Sequence, residues 1–175
     1  MNMKNKFLSL FLLVSVLVAA CSTSRLTTAQ KQARAERIAS MMADSIANRT
    51  FTVEVNYVSP QRMDARFLNS TYTVRILGDS IMSNLPYYGV AYRASFEREG
   101  PLDFDGNITG YNVTRQKNDV TRVKMFTRNR LEYIEYVFNF FPDGKCSLDV
   151  ISADRDKINF LGECLLDDKD VNGVM

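Results

Sequence analysis

The sequence predicts a mainly β protein: an antiparallel β-barrel or half-barrel of about eight strands with one N-terminal α-helix. Three observations predict this fold. Most of the chain after residue 50 consists of short segments in which apolar and polar residues alternate. Turn residues separate the segments, and the helices that join parallel strands are missing from the pattern. Closure into a barrel removes the free edges of such a meander, and a single curved sheet over the helix is the alternative.

Residues 1–20 have the pattern of a secretory signal, with Lys4 and Lys6 ahead of an apolar run. This run, residues 7–17, is shorter than the ~20 apolar residues that span a membrane. Val18-Ala19-Ala20-Cys21 follows and resembles the lipobox of bacterial lipoproteins. Cys21 is therefore the predicted lipidation site, and an ordinary signal peptide with a chance cysteine is the alternative.

The residues after Cys21 predict the destination and the layout of the exported chain. Ser22-Thr23-Ser24-Arg25 lacks the acidic residues that direct some lipoproteins to the inner membrane or the cell surface. We therefore expect a lipid-anchored protein of the outer membrane that faces the periplasm of a Gram-negative bacterium. Residues 21–28 are predicted to be the acylated cysteine and a tether, residues 29–168 a single helix-plus-β-barrel domain, and residues 169–175 a tail.

The composition argues against several classes of function. The full chain has a formal net charge of +2, and removal of Lys4 and Lys6 leaves 20 basic and 20 acidic side chains. A neutral chain is atypical of a nucleic-acid-binding module. The chain has no His, which excludes Ser-His and Cys-His catalysis and imidazole metal sites. The sequence predicts no catalytic residue, no metal site and no cofactor, and hence a protein that is not an enzyme.

One amphipathic helix precedes the strands. Ile38, Met41, Met42 and Ile46 follow helical spacing, and Thr27 or Thr28 is a suitable N-cap. Methionines fill irregular gaps in protein cores, so we expect this helix to pack on the sheet.

The strands then follow in order, each ended by a turn signal. An irregular polar connector, anchored by Met63 and Phe67, is expected between the first two. The predicted strands are 50–58, 72–77, 80–85, 87–96, 103–106, 111–116, 120–127, 131–141, 146–152 and 158–165.

The densest cluster of aromatic and turn residues is Leu85-Pro86-Tyr87-Tyr88-Gly89, approached by Gly78-Asp79-Ser80. With the anchored N-terminus, the helix and the closing aromatic meander, these motifs resemble the bacterial lipoproteins of the domain-of-unknown-function 4251 (DUF4251) family. The resemblance covers nearly all of the exported chain and implies a lipocalin-like antiparallel β-barrel or half-barrel, without implying an activity. Members often carry a glycine-rich stretch after the motif, where this chain has the charged residues 95–100.

The aromatic cluster at residues 85–89 has two possible roles, ligand binding and a structural one. Tyr87, Tyr88 and Tyr92, with Asp79 nearby, are candidate ligand-binding residues, because tyrosine offers an apolar face and a polar tip. In the alternative, Leu85 to Gly89 form a structural corner whose tyrosines plug the end of the barrel.

The two remaining cysteines are predicted to form a disulfide. Cys146 and Cys164 lie at equal distances from Arg155, so a simple hairpin centred there places them opposite each other. The periplasm permits disulfides, and two buried thiols are the alternative.

Two short motifs suggest further sites. Asp79-Ser80-Ile81 and Asp44-Ser45-Ile46 resemble the acceptor of periplasmic O-glycosylation, and Ser80, at a turn, is the better candidate. Asp103, Asp105 and Asn107 have calcium-loop spacing but lack the later Glu, so a solvated turn is expected instead.

The first functional hypothesis is a non-enzymatic envelope lipoprotein that binds a small apolar or amphipathic ligand in its barrel. It depends on the strand number, the anchor and the aromatic residues predicted to face inward, Tyr88, Tyr92, Phe138 and Phe140. The alternative is an envelope protein–protein interaction or structural module with a filled barrel. The expected partners are thus the lipid membrane through acylated Cys21, and either a small ligand or an envelope protein.

Overall fold

The structure is a computed structural model that describes residues 27–92, 100, 102–130 and 132–166. By the density of contacts the chain divides into two units, Met1–Ala33 and Arg34–Met175. The predicted signal, Cys21 and most of the predicted tether lie outside the described residues. Among the residues that are described, no helix is both long enough and apolar enough to cross a bilayer.

Eight antiparallel strands close into a barrel in simple sequence order, with β8 pairing back to β1. This confirms the predicted fold and selects the closed barrel over the half-barrel and the curved sheet. The strands are β1 (Thr50–Pro60), β2 (Arg66–Leu77), β3 (Ser80–Leu85), β4 (Leu102–Arg115), β5 (Thr121–Asn129), β6 (Glu132–Phe140), β7 (Lys145–Ser152) and β8 (Ile158–Leu165).

The helix α1 (Thr28–Ala47) also lies where the sequence predicts it. Its N-terminus is capped by Thr27: the Thr27 side-chain oxygen accepts from the Gln30 amide (3.3 Å), and the Gln30 side chain accepts from the Thr27 amide (2.8 Å). In the C-terminal half Met42 and Ile46 are buried in the core. The Tyr111 hydroxyl of β4 donates to the carbonyl of Ile46 (2.9 Å) and fixes the end of the helix to the barrel.

Side chains that point inward fill the barrel. Alternate residues are buried along most of the strands, as in β1 and β3, because successive side chains of a strand point to opposite faces. β6 contributes the largest of them, Tyr136, Phe138 and Phe140, each with 0% exposure. The ring of Phe51 packs edge-on against Phe138 and Phe140, with centroids 5.7 Å and 5.3 Å apart.

A β-bulge in β1 changes which residues face the core. The register shifts between Val55 and Tyr57 in both of the pairings that β1 makes, so Val55 and Val58 are both buried. Gly162 of β8 pairs with Val55. A Cβ atom at Gly162 would lie 1.9 Å from the Glu54 carbonyl oxygen, so only glycine fits there.

Three predictions about the strands are wrong. Met63 and Phe67 are not anchors, since Phe67 is 77% exposed and belongs to a β2 that begins at Arg66. The two strands predicted at 103–106 and 111–116 are one long strand, β4, which places Asp103 and Asp105 on its outer face rather than in a turn. Of the strand predicted at 87–96, residues 87–92 are instead a loop with one isolated bridge, between Ala91 and Arg155, and residues 93–96 lie outside the described residues.

Candidate functional site

The loop of residues 86–92 is fastened to the β7–β8 turn at one end of the barrel. The Tyr92 amide donates to the Asp154 carbonyl (2.8 Å), and the Asp156 amide donates to the Val90 carbonyl (3.0 Å). The hydroxyl of Tyr87 donates to the carbonyl of Asp156 (3.0 Å). These bonds join segments more than sixty residues apart in the chain.

Asp156 is the centre of this contact, and its side chain is almost fully buried. One carboxylate oxygen accepts a hydrogen bond from the Tyr92 hydroxyl. The other accepts from the Val90 amide (3.2 Å) and pairs with the Arg62 guanidinium (3.1 Å). The hydrogen bond from Tyr92 lowers the pKa of Asp156 most, with the Val90 amide and Arg62 acting in the same direction. We call Arg62, Tyr87, Val90, Tyr92 and Asp156 the Asp156 cluster.

A buried ion pair lies beside the Asp156 cluster. The Arg155 guanidinium makes a two-pronged contact with the carboxylate of Glu132, and its Nε donates to Oε1 at 2.6 Å. It also lies over the Tyr87 ring, 5.1 Å from the centroid. Burial raises the pKa of Tyr87, partly offset by the positive charge of Arg155. The Arg66 guanidinium covers the neighbouring Tyr88 ring in the same way, at 4.9 Å.

Of the four predicted ligand-binding residues, the structure brings three together and leaves one apart. Tyr87, Tyr88 and Tyr92 lie in the 86–92 loop, near the end of the barrel where β1 finishes. Asp79 lies in the β2–β3 turn beside the start of β1, where its exposed carboxylate pairs with Arg49. The idea of Asp79 as a member of the same ligand mouth is therefore wrong. Tyr92 is 57% exposed and does not face inward, which corrects its placement among the inward aromatic residues.

The geometry favours the structural corner over the ligand mouth. The polar tips of Tyr87 and Tyr92 are used in hydrogen bonds within the chain, and Tyr88 packs partly against the core. Sequence reasoning missed the partners, Asp156, Arg155, Glu132 and Arg62. The signal available was the five-residue, charge-rich connection 153–157, which is longer and more charged than a tight hairpin requires.

One polar group is buried inside the barrel with its partners. The Tyr136 hydroxyl lies 2.9 Å from Ser83 Oγ, which donates to the Leu102 carbonyl at 2.7 Å. Ser83 has one hydroxyl proton, so Tyr136 is the donor in their shared bond. Burial raises the pKa of Tyr136 far above its ordinary value. This chain of hydrogen bonds ties β6, β3 and β4 together across the barrel interior.

The predicted disulfide is absent, because Cys146 and Cys164 are free, buried thiols. The register explains the difference: Cys146 pairs with Gly162 and Lys145 with Glu163, so the hairpin is centred one residue earlier than Arg155. Cys164 lies beyond the start of β7, where its amide donates to the Gly144 carbonyl (2.9 Å). Burial raises the pKa of Cys164 to about 11 and raises that of Cys146 well above its usual value.

A mainly apolar groove lies where the β6–β7 turn meets β8. It has a volume of about 510 Å³. Phe141 and Leu161 are its exposed apolar residues, and Asp143 and Lys145 form an ion pair at its rim (2.8 Å). We call it the Leu161 groove, and its lining residues are Phe141, Pro142, Asp143, Lys145, Cys146, Leu161 and Gly162.

The apolar surface continues from this groove across two strands. Leu161 pairs with Tyr57 of β1, and Tyr57 pairs with Phe67 of β2. The Tyr57 and Phe67 rings meet edge to face with centroids 5.0 Å apart. No cluster of three or more potential metal ligands of the His, Cys, Asp or Glu type occurs within the described part of the chain.

Comparison with known proteins identifies relatives of the whole barrel. The sequence profile of the family described as "Domain of unknown function (DUF4251)" matches residues 30–164. A crystal structure of a DUF4251 family protein from Bacteroides eggerthii DSM 20697 superposes with a TM-score of 0.60 at 14% sequence identity. The superposition covers 83% of this chain and 99% of that one, and at this identity the likeness concerns the fold. No curated protein matches the sequence.

Proposed function

This chain belongs to the DUF4251 family, a family of unknown function, and from that premise we propose that it is a non-enzymatic, lipid-anchored envelope protein that binds another envelope protein through its outer surface. The anchor is Cys21, and the protein faces the periplasm from the outer membrane. The barrel supplies a rigid support for the binding surface. This is the interaction-module hypothesis, and ligand carriage inside the barrel is the competing one.

The observation that carries the proposal is the filled interior. The inward rings of β6 stack on one another, with centroids 6.3 Å apart for Tyr136 and Phe138 and 5.7 Å apart for Phe138 and Phe140. Phe160 from β8 is also fully buried. A ligand in this part of the barrel would have to displace packed aromatic rings, and core rearrangements of that kind cost several kcal/mol in general, about 3–5 for the loss of one buried Phe.

The Leu161 groove and its extension to Tyr57 and Phe67 are the surface that we assign to the partner. An apolar centre surrounded by a polar rim is typical of protein–protein interfaces. Phe67 is the most exposed of its large apolar residues. The partner would place an aliphatic or aromatic side chain in the groove, between Leu161 and Phe141, with polar groups near the Asp143–Lys145 pair.

Site-specific photocrosslinking in the source bacterium tests the proposal. A benzoylphenylalanine at Leu161 is expected to give one protein adduct of discrete mass, and Leu161→Lys in the otherwise normal protein is expected to displace that partner. The control position is Met82, an equally apolar and exposed residue on the outer face of β3. The same adduct from Met82, or none from either position, would contradict the assigned surface.

Native mass spectrometry separates this proposal from the carrier hypothesis. The folded mature protein, purified from its own envelope, is expected to have the mass of the chain and its acyl groups. A further small molecule that leaves on denaturation would support ligand binding instead.

We also propose O-glycosylation at Ser80. Ser80 is exposed in the β2–β3 hairpin, whereas Ser45 is half-buried on α1. The intact mass of Ser80→Ala is expected to lose a sugar that Ser45→Ala retains, and an unmodified natural protein would contradict the proposal.

A further inference from the structure

Cationic side chains are concentrated on the outer face of β5, although the predicted exported chain has no net charge. Arg122, Lys124, Phe126 and Arg128 occupy successive outward positions and are exposed, while the residues between them face the core. The chain without Lys4 and Lys6 has equal numbers of basic and acidic side chains, so this face is balanced by acids elsewhere. The charge on the barrel is therefore distributed asymmetrically.

Two exposed aromatic residues accompany these cations, one on β5 and one on β6. Phe126 is 42% exposed, and Tyr133 of β6, directly opposite Arg128, is 66% exposed. The Arg128 guanidinium lies over the Tyr133 ring, 4.9 Å from its centroid. We call Arg122, Lys124, Phe126, Arg128 and Tyr133 the β5 stripe.

Two acids near the β5 stripe are already paired and reduce its charge only in part. Glu135 binds Lys124 (2.7 Å), and Asp119 in the adjoining β4–β5 turn binds Arg115 (2.7 Å). The Arg122 guanidinium donates to the neutral Asn139 side chain (2.8 Å), which positions it without neutralising it. Lys117 adds a further cation in the same turn.

We propose that the β5 stripe is a contact surface for an anionic lipid bilayer. Cations flanked by exposed aromatic rings match the chemistry of the membrane interface, where phosphates attract the cations and aromatic rings enter the headgroup region. Outward positions on a strand are ~6.8 Å apart, so the stripe from Arg122 to Arg128 is about 20 Å long and offers several contacts to one membrane surface.

The proposal goes beyond the proposed function but agrees with it. An acyl anchor at Cys21 would keep a bilayer within reach and give even a weak surface contact a high effective concentration. β5 and β8 are three strands apart around the barrel, so contact through β5 leaves the Leu161 groove accessible to a partner.

Vesicle binding by the mature chain from residue 21, with Cys21→Ser to prevent acylation, tests the proposal. We expect co-sedimentation with phosphatidylcholine vesicles that contain a quarter phosphatidylglycerol, no co-sedimentation with phosphatidylcholine alone, and loss of binding at high salt. Arg122→Gln/Lys124→Gln/Arg128→Gln is expected to weaken binding at least about ten-fold. Arg37→Gln/Arg75→Gln/Lys157→Gln removes three exposed cations outside the β5 stripe and is expected to retain binding.

A tryptophan reporter gives a second test that does not depend on the charge variants folding. The chain has no Trp, so Phe126→Trp reports its own environment alone. Its emission is expected to shift to the blue with anionic vesicles, and that of Leu161→Trp to remain unchanged.

Three results would overturn the proposal: no binding to anionic vesicles, a blue shift at position 161 but not at 126, or equal loss of binding in both triple variants. Binding of a polyglutamate peptide without binding to vesicles would assign the stripe to an acidic protein instead. The crosslinking test of the Leu161 groove is a separate measurement, so a failure of vesicle binding alone leaves the assignment of that groove standing.

Discussion

Gly162 of β8 faces the carbonyl of Glu54 in β1 so closely that a Cβ atom on Gly162 would lie 1.9 Å from the Glu54 oxygen. The same added atom would lie 2.7 Å from Cα of Val55. Both neighbours are backbone atoms beside the β1 bulge, so neither can rotate away as a side chain would. The pairing of β8 with β1, which closes the barrel, therefore requires glycine at position 162.

Gly162→Ala is accordingly expected to destabilise the protein by about 3 kcal/mol, because the two strands must separate to admit one methyl group. Urea unfolding followed by circular dichroism measures this. The control is Gly100→Ala, where the nearest atom to the added Cβ is 4.0 Å away, and its effect is expected to be within about 0.5 kcal/mol. Equal effects of the two substitutions would show that the β1–β8 contact accepts a side chain at position 162.

The second prediction concerns the buried hydroxyl chain. Tyr136→Phe removes one donor and leaves Ser83 bonded to Leu102, so we expect a loss of about 1 kcal/mol. Ser83→Ala leaves the Tyr136 hydroxyl buried without that acceptor and is expected to cost about 2 kcal/mol. The double variant should cost less than the sum of the two. Additive effects in denaturant unfolding would contradict a direct bond between the two hydroxyls.

The third prediction is that Asp156 holds the 86–92 loop. In Asp156→Asn the Val90 and Tyr92 amides are expected to exchange with deuterium at least about ten-fold faster, because the loop opens more often. Hydrogen-exchange mass spectrometry measures this directly. Asp143→Asn, in the β6–β7 turn at the opposite end of β7, is the control and should leave the loop protected. Unchanged exchange in Asp156→Asn would show that the backbone bonds hold the loop without the carboxylate.

The loop should also respond to acid, as the fourth prediction. The pKa of Asp156 is lowered in the folded protein, so its contribution to stability is complete above the ordinary Asp value of about 3.9. It is lost as the pH falls through the lowered native pKa, because protonation then weakens the bonds from Tyr92, Val90 and Arg62. In the natural protein, hydrogen exchange in the 86–92 loop should become faster as the pH falls through this range. In Asp156→Asn the opening of the loop should not depend on pH in this range. A loop that stays closed in the natural protein below this range would contradict the prediction.

The fifth prediction concerns the thiols. Because burial raises the pKa of both Cys146 and Cys164, neither forms a thiolate near neutral pH. The mature chain with Cys21→Ser is expected to react slowly with a thiol reagent when folded and to show two thiols per chain in urea. The absence of thiols after unfolding would instead indicate that the two cysteines are bonded.

The sequence predicted those parts of the fold that depend on local pattern. The bounds of β3, β7 and β8 could be predicted almost to the residue. Their apolar residues alternate, and turn residues on either side restrict where each strand can begin and end. The bulge in β1 and the early start of β2 could not, because they depend on which strand lies alongside. A register error of one position also explains the incorrect disulfide: the pairing of Cys146 is set by the turn geometry, which symmetry about Arg155 does not capture.

The candidate site was harder to predict for the same reason. Tyr87 and Tyr92 stood out as an aromatic cluster, but their partner Asp156 is separated from them by more than sixty residues and resembles any charged turn residue. The cations of the β5 stripe alternate in the sequence, but this alternation alone predicts no binding surface. The exposure of the stripe and the ring of Tyr133 beside Arg128 became evident only in the folded sheet.

The pairing of β1 with β8 has a consequence for how the chain acquires its structure. Val58 pairs with Phe160, about a hundred residues later in the chain, so the last ladder cannot form until nearly the whole sequence is present. Such a high contact order predicts slow folding. A chain threaded across a membrane from its N-terminus would emerge with β1 lacking one of its two neighbours until β8 followed. During that interval the edge of β1 would be exposed, and such unpaired edges are prone to aggregate until their partner strand arrives.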